Sequence, residues 1–541
     1  MTATAAAQPD TAGDLFGHPK GLYICFATEM WERFSFYGMK YLLILYLTKY
    51  HLFTDDMGLE VLGSYTGLVY ALPVIGGVLA DRYLGMRKAV LFGGSLLVIG
   101  HLLMAYEGHQ AVQYNAGVVL EHAITLANGE IIPAGTKLTE TVKIQDLSAL
   151  KVFYLALAFI VVGVGFLKPN ISTIVGQLYP KGDERRDSGF TIFYMGINLG
   201  SWIASLTCAW LGETYGWGYG FGLAGIGMLF GLITFIWGQK YLNGLAEAND
   251  PEVMKQPAIG PINKEWAIYL GSILSLGVVW LLVQHEPVVF VGQQVLLVAA
   301  GVGLLAYTMR NGTKEDLHRM MVLLVLIAST IVFWALFEQS AGSMTLYADR
   351  VVDREAFGFT FTAGQFGSLN ALFIIIFAIP IAWIWMQLSK RGLNPNAAVK
   401  FGMGIILAGL GFGALVLGAE STDELGRISM WWLVFAYWLH TMGELCLSPV
   451  GLSAVTKLSL HRIVGMAMGT WFLATALAET VAQRIAKMAS IDTSSTDIND
   501  ISSIVGTYTE LYTFLMWLGV GVGIFMIIIS PILKKGMHGV N

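Results

Sequence analysis

Apolar runs long enough to cross a bilayer follow one another along almost the whole chain. They fall near residues 21–50, 61–84, 88–107, 148–178, 188–213, 219–243, 265–284, 288–309, 319–347, 361–388, 397–418, 429–459, 462–489 and 505–533. Each is about 20 residues or more, the length a membrane helix needs. The longer ones suit tilted helices or helices that project from the membrane. Basic residues sort the intervening loops into two sets. Arg82, Arg87 and Lys88 follow the second span, and Lys181, Arg185 and Arg186 follow the fourth. Lys255 and Lys264, then Arg310, Lys314 and Arg319, then Lys390, Arg391 and Lys400, then Lys457 and Arg462, then Lys534 and Lys535 continue the series. The other loops are acidic or neutral, as at Asp55, Asp56 and Glu60. The positive-inside rule places the basic loops in the cytoplasm. Both termini then lie on that side, which requires an even number of spans.

Two polar segments divide this pattern. Residues 108–147 are far longer than an ordinary connection. Asn128-Gly129 there sits between short alternating runs and predicts a small extracytoplasmic β-hairpin. Residues 244–264 carry Pro251, Pro257 and Pro261 and separate two sets of six spans. The seventh and eighth spans hold few charges and read as a peripheral helical hairpin. The organisation is therefore a polar N-terminus (1–20), a six-helix bundle (21–243), a linker with two extra helices (244–318), a second bundle (319–533) and a polar C-terminus (534–541). Two halves around a central linker is the layout of a rocking transporter.

Composition fixes the class. Of 541 residues, 55% are hydrophobic and 13% charged, and mean hydropathy is +0.63. That excludes a soluble surface and equally excludes disorder. The chain is an all-α polytopic membrane protein. A net charge of −5 gives no footprint for nucleic acid. Cys25, Cys208 and Cys446 all lie in apolar stretches, as small hydrophobes rather than disulfides or metal ligands. Residues 1–18 lack a basic flank and a cleavage motif, so the first span reads as retained.

Seven charges fall inside the spans: Glu29, Glu32, Arg33, Lys40, Lys168, Glu338 and Glu444. A charge at the bilayer centre costs about 3 kcal/mol, so seven facing lipid would cost about 20. They must face a wet cavity or each other. Four are acidic and three basic, which leaves one surplus negative charge able to hold a proton. Glu29, Arg33, Phe36 and Lys40 share one helical stripe, flanked by Glu32 and Tyr37. Glu29 precedes Arg33 by four residues, the favourable order for an ion pair.

The loop GVLADRYLGMRK at 77–88 resembles the cytoplasmic signature of the major facilitator superfamily. Gly77 permits close helix approach, Asp81 and Arg82 are candidate gating residues, and Arg87 and Lys88 mark the cytoplasmic side. The run ExxER followed by FSFYG, at 29–38, resembles the first-helix motif of the proton-dependent oligopeptide transporters, the peptide transporter family. GFLKPN at 165–170, FYMGINLGS at 193–201, FWALFEQ at 333–339 and GELCLSP at 443–449 resemble further signatures of that family, in the right order. The resemblance runs to Trp471, and the two extra helices are usual in bacterial members. Phe36 departs from it, since many members carry tyrosine there.

The resemblance implies a proton-coupled symporter that imports di- and tripeptides by alternating access, driven by the proton gradient with no cofactor. The residues support that chemistry independently. A peptide zwitterion needs cations for its carboxylate and an anion for its ammonium. Arg33 and Lys168 lie in the first half and Glu444 in the second. The resemblance adds Asn198 and Asn370 for the amino end and Ser448 beside Glu444. Tyr37, Tyr70, Trp334 and Trp471 would be aromatic walls, and Trp334 lies four residues before Glu338. Glu29, Glu32, Arg33 and Glu338 would couple the proton. Pro169 and Pro449 occupy equivalent places in the two halves and bend gating helices. The partners expected are a peptide, protons and lipid, with one chain sufficient as a monomer. His101 and His440 receive no role.

Rival classes fare worse. Ser453 with His440 as base would make a serine hydrolase, but the two lie about 20 Å apart along one helix. No HExxH zinc pattern or filter-like loop occurs. The nearer rival is a proton-coupled carrier of nitrate or another small anion, which would not need Glu444 opposite Arg33 and Lys168.

Overall fold

The computed structural model describes residues 14–126, 129–180, 182–491 and 500–540. Asn128 and Lys181, like most of the N-terminal segment, lie outside them. Among the described residues, fourteen long helices make the bundle. In chain order they are α1 (Lys20–Leu45), α2 (Asp55–Leu79), α3 (Met86–Met104), α4 (Leu147–Gln177), α5 (Arg185–Tyr215), α6 (Trp217–Gly238), α7 (Lys264–Val283), α8 (Glu286–Asn311), α9 (Lys314–Phe337), α10 (Ser368–Lys390), α11 (Ala397–Ala419), α12 (Met430–Leu458), α13 (Val464–Ala486) and α14 (Ile501–Gly536). Among the described residues, twelve are apolar enough to cross a membrane on composition alone. The other two, α1 and α12, have the length but carry Glu29, Glu32, Arg33 and Lys40, or His440 and Glu444, in their middles. Those are the helices that build the site.

Helices α1 to α6 pack on one another, with α1 against α5 and α6, and α3 against α4 and α6. In the second set α11 lies on α12 and α14, and α9 on α13 and α14. Glycines allow close crossings in each half. A Cβ on Gly93 would stand 2.6 Å from the Gly163 carbonyl, and one on Gly409 would stand 2.9 Å from the Met516 carbonyl. The sets meet along α2 with α13 and α5 with α10.

The signature loop after α2 is a dock for the linker. Arg87 holds Glu247 at 2.5 and 3.1 Å, and Lys88 holds Glu265 at 2.7 Å. Gly85, at φ 78°, lies against the backbone of Ala248. The linker hairpin then straddles the halves. Helix α7 lies on α4, where Trp280 Nε1 donates to the Lys151 carbonyl at 3.1 Å. Helix α8 lies on α13. The hairpin is peripheral in that both helices are mostly exposed, but α8 buries three polar side chains, Glu286, Gln293 and Thr308.

Residues 108–147 hold more than one hairpin. Strands β2 (Ile124–Thr125) and β3 (Ile131–Ile132) pair antiparallel across the expected turn. Outside them β1 (Val112–Tyr114) and β4 (Val142–Ile144) pair in the same sense. Leu120, Ile124 and Leu138 form a small core of their own. Asp146 closes the loop as the N-cap of α4. Its carboxylate accepts from the amides of Ser148 and Ala149 at 3.0 Å and from the His109 amide at 3.1 Å.

Candidate functional site

Helix α1 carries the densest charge. Arg33 pairs with Glu29 at 3.0 Å and also with Glu32. All three are buried, so two carboxylates share one guanidinium on a single helix. The guanidinium stands 5.4 Å from the centre of the Phe36 ring, and Lys40 Nζ stands 5.8 Å from the same ring. Phe36, the departure from the family pattern, keeps the ring face near both cations and lacks only the hydroxyl.

Lys40 reaches the other half. Its ammonium donates to Glu338 Oε2 at 2.6 Å and lies 3.6 Å from Glu479 Oε1. This revises the charge count made from sequence. Glu479 is a further buried acid on α13, so among the described residues the central cluster holds five carboxylates against Arg33, Lys40 and Lys168, a surplus of two. Glu479 had a signal in the chain: Trp471, Thr475, Glu479 and Gln483 recur every four residues and form one buried stripe.

Lys168 is different. Its ammonium sits over the Tyr70 ring at 4.0 Å, and among the described residues no carboxylate comes within ion-pair distance of it. It lies in the fields of Arg33, Glu32, Glu29 and Glu479. Tyr37, half-buried, feels Lys40 and Arg33 from its own helix and Glu338 and Glu444 from the other half. The two halves therefore bring their charges to one place.

In the second half Glu444 accepts from Asn370 Nδ2 at 2.9 Å, and the same amide lies 3.2 Å from the Thr441 hydroxyl. Asn198 donates to the Tyr194 carbonyl on its own helix at 3.0 Å. The Ser448 hydroxyl is buried without a hydrogen-bond partner. Trp334 is half-buried beside Phe333 and Phe337. Helix α9 stops at Phe337, and Glu338 opens a 3₁₀ turn that runs to Ala341. The four-residue spacing from Trp334 to Glu338 therefore does not continue one α-helical face. Trp471 is buried in its own half, with its ring against Gly451 and edge-on to Phe401.

The gating candidates divide. Pro169 lies inside α4 against Gly77, and Pro449 lies inside α12. Asp81 and Arg82 are exposed, and the Asp81 carbonyl accepts from the linker's Asn249 at 2.9 Å. The contacts that do close the halves were not foreseen from the sequence. Arg350 grips Asp55 with two bonds of 2.6 Å. Lys49 pairs with Asp349 at 2.7 Å, and Lys487 with Glu60 at 2.5 Å. Glu213 accepts from the amides of Ala363 and Gly364 at 3.1 and 2.8 Å. All lie at the end opposite the basic loops. Among the described residues no ion pair joins the two bundles at the basic end.

Two six-helix bundles, closed at one end and sharing buried charges at their interface, define a polytopic membrane transporter of the major facilitator fold. The sequence profile of the POT family matches residues 87–504, and the chain belongs to that family. It is 35% identical over 533 residues to YclF of Bacillus subtilis, named an uncharacterised transporter, with 97% of this chain and 96% of that one aligned. It is 35% identical to the peptide transporter YePEPT of Yersinia enterocolitica, covering 86% of this chain and 87% of the other. The di-/tripeptide transporter of Lactococcus lactis strain IL1403 is 31% identical, with 97% and 98% covered. Among solved structures, the peptide transporter POT in complex with sulfate superposes with a TM-score of 0.75 at 32% identity, over 99% of this chain and 100% of that one.

Proposed function

We propose that this protein is a proton-coupled symporter that imports di- and tripeptides across the cytoplasmic membrane by alternating access. The observation that carries the reading is the placing of Lys168, which pairs with no carboxylate among the described residues, beside Arg33 in one half and of Glu444 in the opposing half. Lys168 and Arg33 suit a peptide carboxylate, and Glu444, held by Asn370, suits the ammonium. With the basic loops in the cytoplasm, the contacts around Asp55 and Arg350 close the outer end. The conformation is then the inward-facing one, and both termini are cytoplasmic. One chain supplies both sides of the site, so the protein works as a monomer, driven by the proton gradient without a resident cofactor.

The test is uptake of a labelled dipeptide into proteoliposomes with and without an imposed pH gradient, with nitrate and unlabelled dipeptides as competitors. Gradient-dependent uptake that dipeptides inhibit and nitrate does not supports the reading. Nitrate-sensitive anion uptake without peptide uptake would replace it with the anion carrier.

A further inference from the structure

A second cavity, of about 610 Å³, opens at the basic end of the second half, away from the charged cluster on α1. The ends of α10, α11, α12 and α14 enclose it. Three lysines line it, Lys400, Lys457 and Lys534, and among the described residues that line it none is acidic. Lys400 is the informative one. It stands on the first turn of α11, only 8% exposed, and no carboxylate among the described residues pairs with it. Its ammonium stands 4.5 Å from the centre of the Trp385 ring, whose Nε1 is buried without a hydrogen-bond partner.

Burying an ammonium without a counter-ion is costly. A positive-inside role alone does not require it, because that role is served by exposed lysines such as Lys390. The backbone adds to the same field. Asn396 caps α11 by accepting from the Val399 amide at 3.1 Å, and the helix N-terminus opens into the cavity at Ala397. A helix N-terminus, the buried Lys400 and the nearby Lys534 together are a cradle for a multiply charged oxyanion. The rest of the wall mixes Ser389, Asn394 and Ser453 with apolar side chains, and the volume exceeds what a bare ion fills.

We propose that this cavity binds a phosphoryl group carried on a larger organic body, either a phospholipid headgroup or a soluble phosphate ester. Lys400 and the start of α11 hold the phosphoryl oxygens, Lys534 closes over them, and the Trp385 indole donates from the side. Pro449 forms part of the wall, so the occupant braces α12 at this proline.

The full-length protein is titrated calorimetrically with glycerol 3-phosphate and with inorganic phosphate at constant ionic strength, in nanodiscs of phosphatidylcholine and of phosphatidylglycerol. Saturable binding of glycerol 3-phosphate is expected in phosphatidylcholine. Lys400→Gln and Lys534→Gln should each weaken it about tenfold or more, and Lys390→Gln should leave it unchanged. Loss of that binding in phosphatidylglycerol identifies the headgroup as the occupant, whereas equal binding in both lipids identifies a soluble ester. If Lys400→Gln does not fold, Lys534→Gln, at an exposed position, decides. Absence of saturable binding by either phosphate in phosphatidylcholine, or binding that neither lysine variant alters, overturns the proposal.

Discussion

Lys40 reaches from the first half to two buried acids of the second, Glu338 at 2.6 Å and Glu479 at 3.6 Å. Removing it leaves two buried carboxylates to share the site with no cation. Breaking a buried pair from one side typically costs about 3–5 kcal/mol. Lys40→Met should therefore lower the thermal midpoint of the purified protein markedly. Adding Glu338→Gln should restore part of the loss, because it removes one of the stranded charges. Equal midpoints for Lys40→Met and the wild type would show that the pair holds nothing together. The substrate ends allow a second residue-scale prediction. If Lys168 and Arg33 take the carboxylate and Glu444 the ammonium, acetylating or amidating a dipeptide strands one buried charge. Each change should weaken competition by roughly 2–5 kcal/mol, measured as inhibition of labelled dipeptide uptake. Blocked dipeptides that compete as well as the free one would remove the basis of the site assignment.

At the scale of elements, the helices were legible because hydrophobic runs of membrane length are a strong signal. The loop before α4 was only partly so. Asn128-Gly129 marked its turn, but the pairing of Val112–Tyr114 with Val142–Ile144 joins residues some thirty apart and leaves no local trace. The motif helices α1, α5 and α12 announced Arg33, Asn198 and Glu444, whereas Glu479 and the pairs Asp55–Arg350 and Glu60–Lys487 did not stand out. Those are acid–base pairs made by folding, between residues hundreds of positions apart. Asp146 gives a testable element. The Ala149 amide first, then the His109 ring and amide, hold its carboxyl down from an ordinary 3.8 to about 2. A depressed carboxyl stabilises the fold above its unfolded value and loses that contribution as pH falls through the folded one. Asp146→Ala should cost about 1 kcal/mol at pH 6, and the gap in thermal midpoint from the wild type should narrow between pH 4 and pH 2. A gap that widens on acidification would reverse the sign of this argument. The linker hairpin gives another. Its α7 leg is bound to the first half and its α8 leg to the second. Arg484 holds Glu286 at 2.6 and 2.8 Å, and Thr480 donates to Gln293 at 2.9 Å and lies 3.2 Å from the Gly63 carbonyl on α2. The turn that joins the legs lies at the closed end, so the hairpin opposes separation there. Glu286→Gln with Gln293→Ala should raise the fraction of molecules open at that end, read as greater labelling of a cysteine placed at Glu60. Unchanged labelling would make the hairpin a bystander.

At the scale of the whole molecule, every ion pair between the bundles among the described residues lies at the Asp55 end or at the centre, so one rocking motion must break them together. Opening that end separates Arg350 from Asp55, Lys49 from Asp349 and Lys487 from Glu60, and it draws Lys40 away from Glu338 and Glu479. Two carboxylates that lose their cation in a dry interior are driven to take a proton. On the other side of the same interface Arg33 holds Glu29 and Glu32. A peptide carboxylate that competes for Arg33 releases one of them, with the same consequence. In the proposed cycle, proton uptake accompanies both outward opening and substrate entry, and an inward proton gradient biases that cycle toward import. With two surplus acids in the cluster, the proposed proton sites form a group rather than a single residue. Glu29→Gln, Glu32→Gln, Glu338→Gln and Glu479→Gln should each reduce accumulation of a labelled dipeptide against its gradient. Exchange of labelled for unlabelled peptide at equal pH should persist in at least one of them, because exchange needs the binding site but no net proton movement. The measurement is made in liposomes with and without an imposed pH difference. If all four variants accumulate peptide in proportion to that difference, the proton enters by groups outside this cluster.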